Sequence, residues 1–122
     1  MENEQRKRRD LRERTFKFAQ RVVRLFVSLD KNTLAQTLGR QVLRSGTSVG
    51  ANYREADQAR SKLEFISKIG DCLKEADETA YWLELMAAEN VVPADKLAAL
   101  IDEANQLVAI LTTIRRRAEG KD

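Results

Sequence analysis

Oxygen-bearing side chains at helical spacing are the nearest thing to a chemical site in this chain. Ser48, Asn52 and Glu55 recur three and four residues apart, and Glu75 and Glu78 repeat the interval further on. Carboxylates on adjacent helices can hold Mg²⁺ or Ca²⁺ when enough oxygens converge. With arginines on the same stretch, the stronger expectation is a polar network of hydrogen bonds and ion pairs that pins register and selects partners, and no metal is assigned. Histidine is absent from all 122 residues, which removes imidazole acid/base designs, most zinc sites and the Glu-x-x-His pairs of di-iron bundles. The single cysteine, Cys72, allows no intramolecular disulfide and no cysteine metal cluster, and it reads as a small core residue. No phosphate-binding loop, dinucleotide glycine pattern or nucleophile elbow occurs, and Gly46-x-x-x-Gly50 belongs to helix packing. The expectation is a protein with no catalytic residue and no cofactor, not an enzyme.

The second constellation is cationic. Arg14, Lys17, Arg21 and Arg24 repeat at helical spacing opposite an apolar face, and Arg115, Arg116 and Arg117 stand together near the end. Residues 1–60 carry 14 Lys/Arg against 7 Asp/Glu and residues 61–122 carry 8 against 12, so the net +3 divides into +7 and −4. Such a stripe either keeps a bundle solvated or meets the phosphates of RNA or DNA, and those seven residues are the candidate nucleic-acid contacts. Few aromatics stand among them to stack bases, so sequence-tolerant binding is expected.

The elements that must position these groups are helices. One proline, five glycines, 34% charged residues and 6% aromatics suit a helical bundle and argue against a β sandwich. Residues 1–9, with Arg6-Lys7-Arg8-Arg9, have no apolar periodicity and are expected to be disordered or frayed. Residues 10–118 form the bundle. Leu11, Thr15, Phe18, Val22, Leu25, Phe26 and Leu29 mark the first helix, from about Asp10. Thr33 is placed to cap the second, with Gln36 completing a capping box, and Leu38, Val42, Ser45, Val49 and Ala56 form its core face with Tyr53 at the edge. Ser61-x-x-Glu64 opens a third, whose core runs from Phe65 through Leu83 to Ala87. Pro93 stands at the first position of a fourth, extending to about Ala118. Residues 119–122 are expected to fray. Four long helices with short connections predict an all-α, up-down-up-down antiparallel four-helix bundle. With no leader and no apolar run near membrane-spanning length, a cytoplasmic protein without a membrane partner is expected.

Two faces read as assembly surfaces. Gly39, Gly46 and Gly50 in mid-helix cost about 1 kcal/mol each relative to alanine, which the close approach of another backbone would offset; a loop from Ser45 to Gly50 is the alternative. Arg40, Arg44 and Arg54 lie away from the core of the second helix, while Asp71, Glu75, Glu78 and Trp82 share the outer side of the third. Unlike-charged faces on one protomer suit a head-to-tail contact that closes a ring. Arg40, Arg44, Gly46, Gly50, Arg54, Asp71, Glu75, Glu78 and Trp82 are therefore the candidate oligomer interface. For Trp82 the other reading is a cover over the loop after Glu89. A protein adaptor or structural assembly with no nucleic-acid role is the alternative function.

The run from Arg44 to Ala56, with Ser61-x-x-Glu64-Phe65, the stretch from Lys74 to Leu83, and Thr15-Phe16-Lys17-Phe18-Ala19, resembles the four-helix bundle proteins encoded within 23S rRNA intervening sequences. The likeness extends from Phe16 to Ile114. It implies homopentameric rings and kinship with the accessory variability proteins of diversity-generating retroelements, basic barrels that associate with a reverse transcriptase and with nucleic acid. On that resemblance the expected partners are a second copy of the chain, RNA or DNA, and a reverse transcriptase or another nucleic-acid-processing protein. No settled biochemical function comes with the resemblance.

Overall fold

The computed structural model describes residues 2–121, and within them every regular element is a helix. These are α1 (Glu2–Ser28), α2 (Thr33–Asp57), α3 (Lys62–Ala88) and α4 (Ala94–Ala118). Each helix packs along the next, whereas α1 and α4 meet at few points. Along α2, Gly39 lies against Leu29, Gly46 against Val22 and Gly50 against Thr15. On its other side Ser45 meets Thr79, Val49 meets Cys72 and Glu55 meets Lys68. Partner numbers fall as α2 rises, a pattern compatible with antiparallel neighbours in an up-down bundle.

Local chemistry sets the helix ends, and it differs from expectation at three of them. Asn32, not Thr33, caps α2: in extended backbone (φ −82°, ψ 163°) its Oδ1 accepts from the Ala35 amide at 2.8 Å. Gln36 Nε2 donates instead to the Asp30 carbonyl at 2.8 Å. Pro93 is the cap of α4 (φ −52°, ψ 134°) and the helix begins at Ala94. The third difference is at the start, because α1 is helical from Glu2 and not from about Asp10. Residues 2–9 contain neither glycine nor proline, and Glu2 and Glu4 complement the positive end of the helix dipole. They are helical and exposed, an extension that adds nothing to the core.

The Ser61 capping box forms as expected on one side, with Oγ accepting from the Glu64 amide at 3.0 Å. Glu64 reaches back one residue further than the pattern requires, to the Arg60 amide at 3.3 Å. Two helices end on left-handed residues: Asn90 (φ 58°) after α3 and Gly120 (φ 75°) after α4. Around each, paired amide bonds close the last turn: Val91 to Met86 and Asn90 to Ala87, then Lys121 to Arg116 and Gly120 to Arg117. Residues 119–121 are thus tied to α4 by hydrogen bonds where fraying is expected. Met1 and Asp122, the outermost members of the two expected frayed segments, lie outside the described residues.

The core is one continuous cluster containing Phe18 and Val22 from α1, Val42, Val49 and Tyr53 from α2, Ile69, Cys72, Leu83 and Met86 from α3, and Leu97, Leu107 and Leu111 from α4. Tyr53, expected at the edge, is buried within it. α4 is long and apolar enough, by length and composition, to cross a bilayer, contrary to the sequence expectation. Its buried Leu97, Leu100, Ala104, Leu107 and Leu111 nevertheless form the single inward stripe of a bundle helix.

The mid-helix glycines answer to α1. A Cβ on Gly46 would stand 2.7 Å from Val22 Cγ2, and one on Gly50 would stand 3.4 Å from the Thr15 carbonyl oxygen. Ser45 through Gly50 is helical, so the alternative of a loop there does not form.

Hydroxyls within the core are satisfied locally. Thr15 Oγ1 donates to the Leu11 carbonyl at 2.7 Å, and Ser45 Oγ to the Gln41 carbonyl at 2.9 Å. Thr79 Oγ1 lies 2.8 Å from Ser45 Oγ and 2.7 Å from the Glu75 carbonyl, so its one proton serves either. Cys72 Sγ is 3.1 Å from the Val49 carbonyl, and burial, reinforced by Asp71 and Glu55, pushes the thiol up to about 12. Tyr53 is likewise pushed up to about 12, chiefly by burial.

Both acids therefore keep their protons in the fold at pH values where the unfolded chain, with ordinary values of about 8.5 for Cys and about 10 for Tyr, releases them. Their stabilisation is complete below about pH 8 and is lost as pH rises toward about 12. The urea midpoint should hold steady from about pH 7 to about pH 8 and fall by about pH 11, and Cys72→Ala should flatten the first part of that decline. Iodoacetamide at about pH 8 should alkylate Cys72 readily in urea and hardly at all in buffer.

Candidate nucleic-acid interface

Opposing carboxylates divide the expected cationic stripe. Arg14 is clasped across the α1–α4 seam, with Nε 2.7 Å and Nη2 2.8 Å from the two Glu103 oxygens and Nη2 also 2.7 Å from Gln106 Oε1. The Glu103 bond raises the Arg14 pKa against the opposing effect of burial, so its charge is held by a carboxylate of the same chain. Lys17 sits 3.0 Å from Glu13 in an exposed pair, an interaction worth little in water. Arg21 and Arg24 are exposed and have no ion-pair partner among the described residues. Arg115 leans toward Glu119 at 3.6 Å, Arg116 donates to the Lys121 carbonyl at 3.0 Å, and Arg117 lines a groove.

That groove, about 450 Å³, runs between α1 and α4 and is lined by Lys7, Asp10, Leu11 and Arg14 on one side and Ile110, Ile114 and Arg117 on the other. It is present because the helical extension of α1 brings Lys7 beside the end of α4. Arg8 on the same extension and Arg12 one turn further along α1 each lie 3.9 Å from Asp57 at the end of α2. The cations of both chain ends therefore gather at one end of the bundle. This gathering was hidden in the sequence, where residues 1–9 lack the apolar period that announces a packed helix. The usable signal was their freedom from glycine and proline.

The expected interface residues separate into several groups. Arg44 binds Glu75 at 3.4 Å and also Glu78, closing the α2–α3 seam within the protomer. Glu78 accepts in addition from Trp82 Nε1 at 3.0 Å, while the half-buried indole packs against the core and meets Tyr81 edge to face. Arg54 faces α1 instead, with its guanidinium carbon 5.6 Å from the centroid of Phe16. Gly46 and Gly50 are buried against α1, so their small size serves helix packing inside the chain rather than a subunit contact. Arg40 and Asp71 remain exposed, with no hydrogen bond or ion pair from either side chain among the described residues. In the expected polar network, Ser48 donates to the Arg44 carbonyl at 2.7 Å, and Glu55 accepts from Lys68 at 2.7 Å. Asn52 is half-buried near them without joining a common site. Among the described residues, no three His, Cys, Asp or Glu side chains are placed to hold a metal ion.

The sequence profile of the 23S rRNA-intervening sequence protein family matches residues 7–113. The chain belongs to that family. The fold agrees: a crystal structure from Bacteroides thetaiotaomicron, described as a protein with unknown function from the S23 ribosomal protein family, superposes with a TM-score of 0.84 at 35% identity. The match covers 90% of this chain and 98% of that one. No protein with a curated description matches. The family match ends at Thr113, just before Arg115, Arg116 and Arg117, and begins at Lys7 within the basic extension.

Proposed function

We propose that this member of the 23S rRNA-intervening sequence family is a non-enzymatic, homo-oligomeric four-helix bundle, up-down-up-down within each protomer and pentameric in its ring, whose basic end binds RNA or DNA. The observation that carries the nucleic-acid reading is the gathering of Lys7, Arg8, Arg9 and Arg12 with Arg115, Arg116 and Arg117 where α1 begins and α4 ends. Phosphate contacts of this kind are electrostatic and release counterions, so they weaken predictably with salt. With about five contacts, affinity for a mixed single-stranded RNA should fall about 100-fold between about 50 and about 200 mM salt. Fluorescence anisotropy measures this, and undetectable binding at the lower salt, or no salt dependence, would refute the reading.

The adaptor reading, without nucleic acid, is favoured by a different observation. Val23, Val27, Leu34, Leu63 and Tyr81 are large apolar side chains that stay more than two-fifths exposed. Side chains of this kind also support self-assembly of the ring. Light scattering with and without nuclease treatment separates the possibilities: a ring whose mass and absorbance ratio ignore nuclease, and which captures protein partners only, supports the adaptor. A nucleic-acid-processing protein such as a reverse transcriptase is a partner compatible with the first reading.

A further inference from the structure

Phe16 and Phe18 lie two residues apart on α1 and have opposite fates: Phe18 is 1% exposed and Phe16 is 51% exposed. The exposed ring is surrounded by arginines. Arg54 lies over it at 5.6 Å, and Arg9, Arg12 and Arg54 line with it a recess of about 270 Å³. A second recess, about 290 Å³, adjoins the same ring, and the small residues Ala19, Gly50 and Ala51 help to line it. Glu13 is the one carboxylate lining either recess, and it is engaged by Lys17. Arg9 has no ion-pair partner among the described residues, and Arg12 is held only at 3.9 Å by Asp57.

We infer that Phe16, framed by Arg9, Arg12 and Arg54, is a stacking platform for an unpaired base of single-stranded nucleic acid. The inference rests on the nucleic-acid reading above and deepens it. An aromatic face accepts any base, a guanidinium stacks alongside it, and neighbouring arginines receive the flanking phosphates. Three cations against one occupied carboxylate favour a phosphate polymer over an acidic or apolar peptide. The recesses beside the ring supply room for a planar base, because Gly50 and Ala51 raise no long side chain there. The arrangement also alters the expectation drawn from sequence, in which few aromatics stand among the cations: the three arginines come from two helices and meet around one ring.

The test uses a fluorescein-labelled single strand of about twelve nucleotides and the same strand made of abasic units. The wild-type protein should bind the intact strand about 10-fold more tightly, toward the lower end of what one stacked base contributes. Phe16→Ala should abolish that difference while leaving the affinity for the abasic strand and the salt dependence unchanged, and Phe16→Tyr should retain it. Because Phe16 is outside the core, both variants should show the wild-type circular dichroism melt. Equal binding of the two strands by the wild type, or a preference that survives in Phe16→Ala, overturns the platform while the phosphate-binding reading stands. No salt-dependent binding of either strand overturns that reading and the platform with it.

Discussion

Gly46→Leu should cost the fold at least about 3 kcal/mol, read as a large drop in the urea midpoint. Even the first carbon of a side chain at position 46 would stand 2.7 Å from Val22 Cγ2 and 2.9 Å from Cγ1, and the branch point itself is only 3.2 Å away. Val22 is fully buried and β-branched, so it has no alternative rotamer to retreat into. Overpacking of this kind typically costs about 1 to 3 kcal/mol for small insertions and more for a whole leucine. Against it stands about 1 kcal/mol gained by removing a glycine from a helix interior. Gly46→Ala is the closer contest, because that gain opposes a single added methyl. Its net cost should be about 0 to 2 kcal/mol. Val22→Ala made together with Gly46→Ala should recover much of the loss that either change causes alone, because the methyl fills the space the valine leaves. If Gly46→Leu instead kept the wild-type midpoint and lowered the assembly's mass, the glycine would face another subunit.

The same residue shows how much of the fold can be read in advance. A glycine beside an apolar stripe demands a close neighbour whatever the fold, and the periodic runs of all four helices state which side of each helix is inward. That is enough for four helices and most of the core, since Phe18, Val22, Val42, Val49, Ile69, Cys72, Leu83 and Leu107 all follow a spacing visible in the chain. Which neighbour each outer residue meets is a different kind of information. Arg44 and Arg54 look alike in the sequence, yet one turns to Glu75 and Glu78 on α3 and the other to Phe16 on α1. They lie on opposite flanks of α2, and only the order of helices around the core tells them apart. Arg14 illustrates the cost of that missing order. Counted with the exposed stripe, it is the residue that clasps Glu103 where α1 and α4 otherwise scarcely touch. The extension of α1 was illegible for a simpler reason. It packs against no core, so no apolar period marks it, and its helicity rests on propensity and on Glu2 and Glu4 in the first turn.

Reversing Arg9, Arg116 and Arg117 to glutamate should weaken nucleic-acid binding by more than about 100-fold at about 100 mM salt and reduce the salt slope by about two to three contacts. The comparison that gives this result meaning is a second triple variant, Lys31→Glu, Lys74→Glu and Lys96→Glu. Both triples shift the formal charge by the same amount, from +3 to −3. Overall attraction to a polyanion, set by net charge, is therefore lowered equally in the two. Their places differ. Arg9, Arg116 and Arg117 stand where α1 begins and α4 ends, whereas Lys31 in the α1–α2 connection and Lys96 in the first turn of α4 belong to the other end and Lys74 to the middle of α3. All six are exposed, so neither triple should disturb the core, and the two unfolding midpoints should lie close to the wild type. A local basic end then predicts unequal losses: the first triple loses specific phosphate contacts, and the second only long-range attraction, which falls off beyond about 10 Å in ordinary salt. Equal losses would mean that the chain attracts nucleic acid as a diffuse cation, and the end formed by α1 and α4 would hold no special place in it.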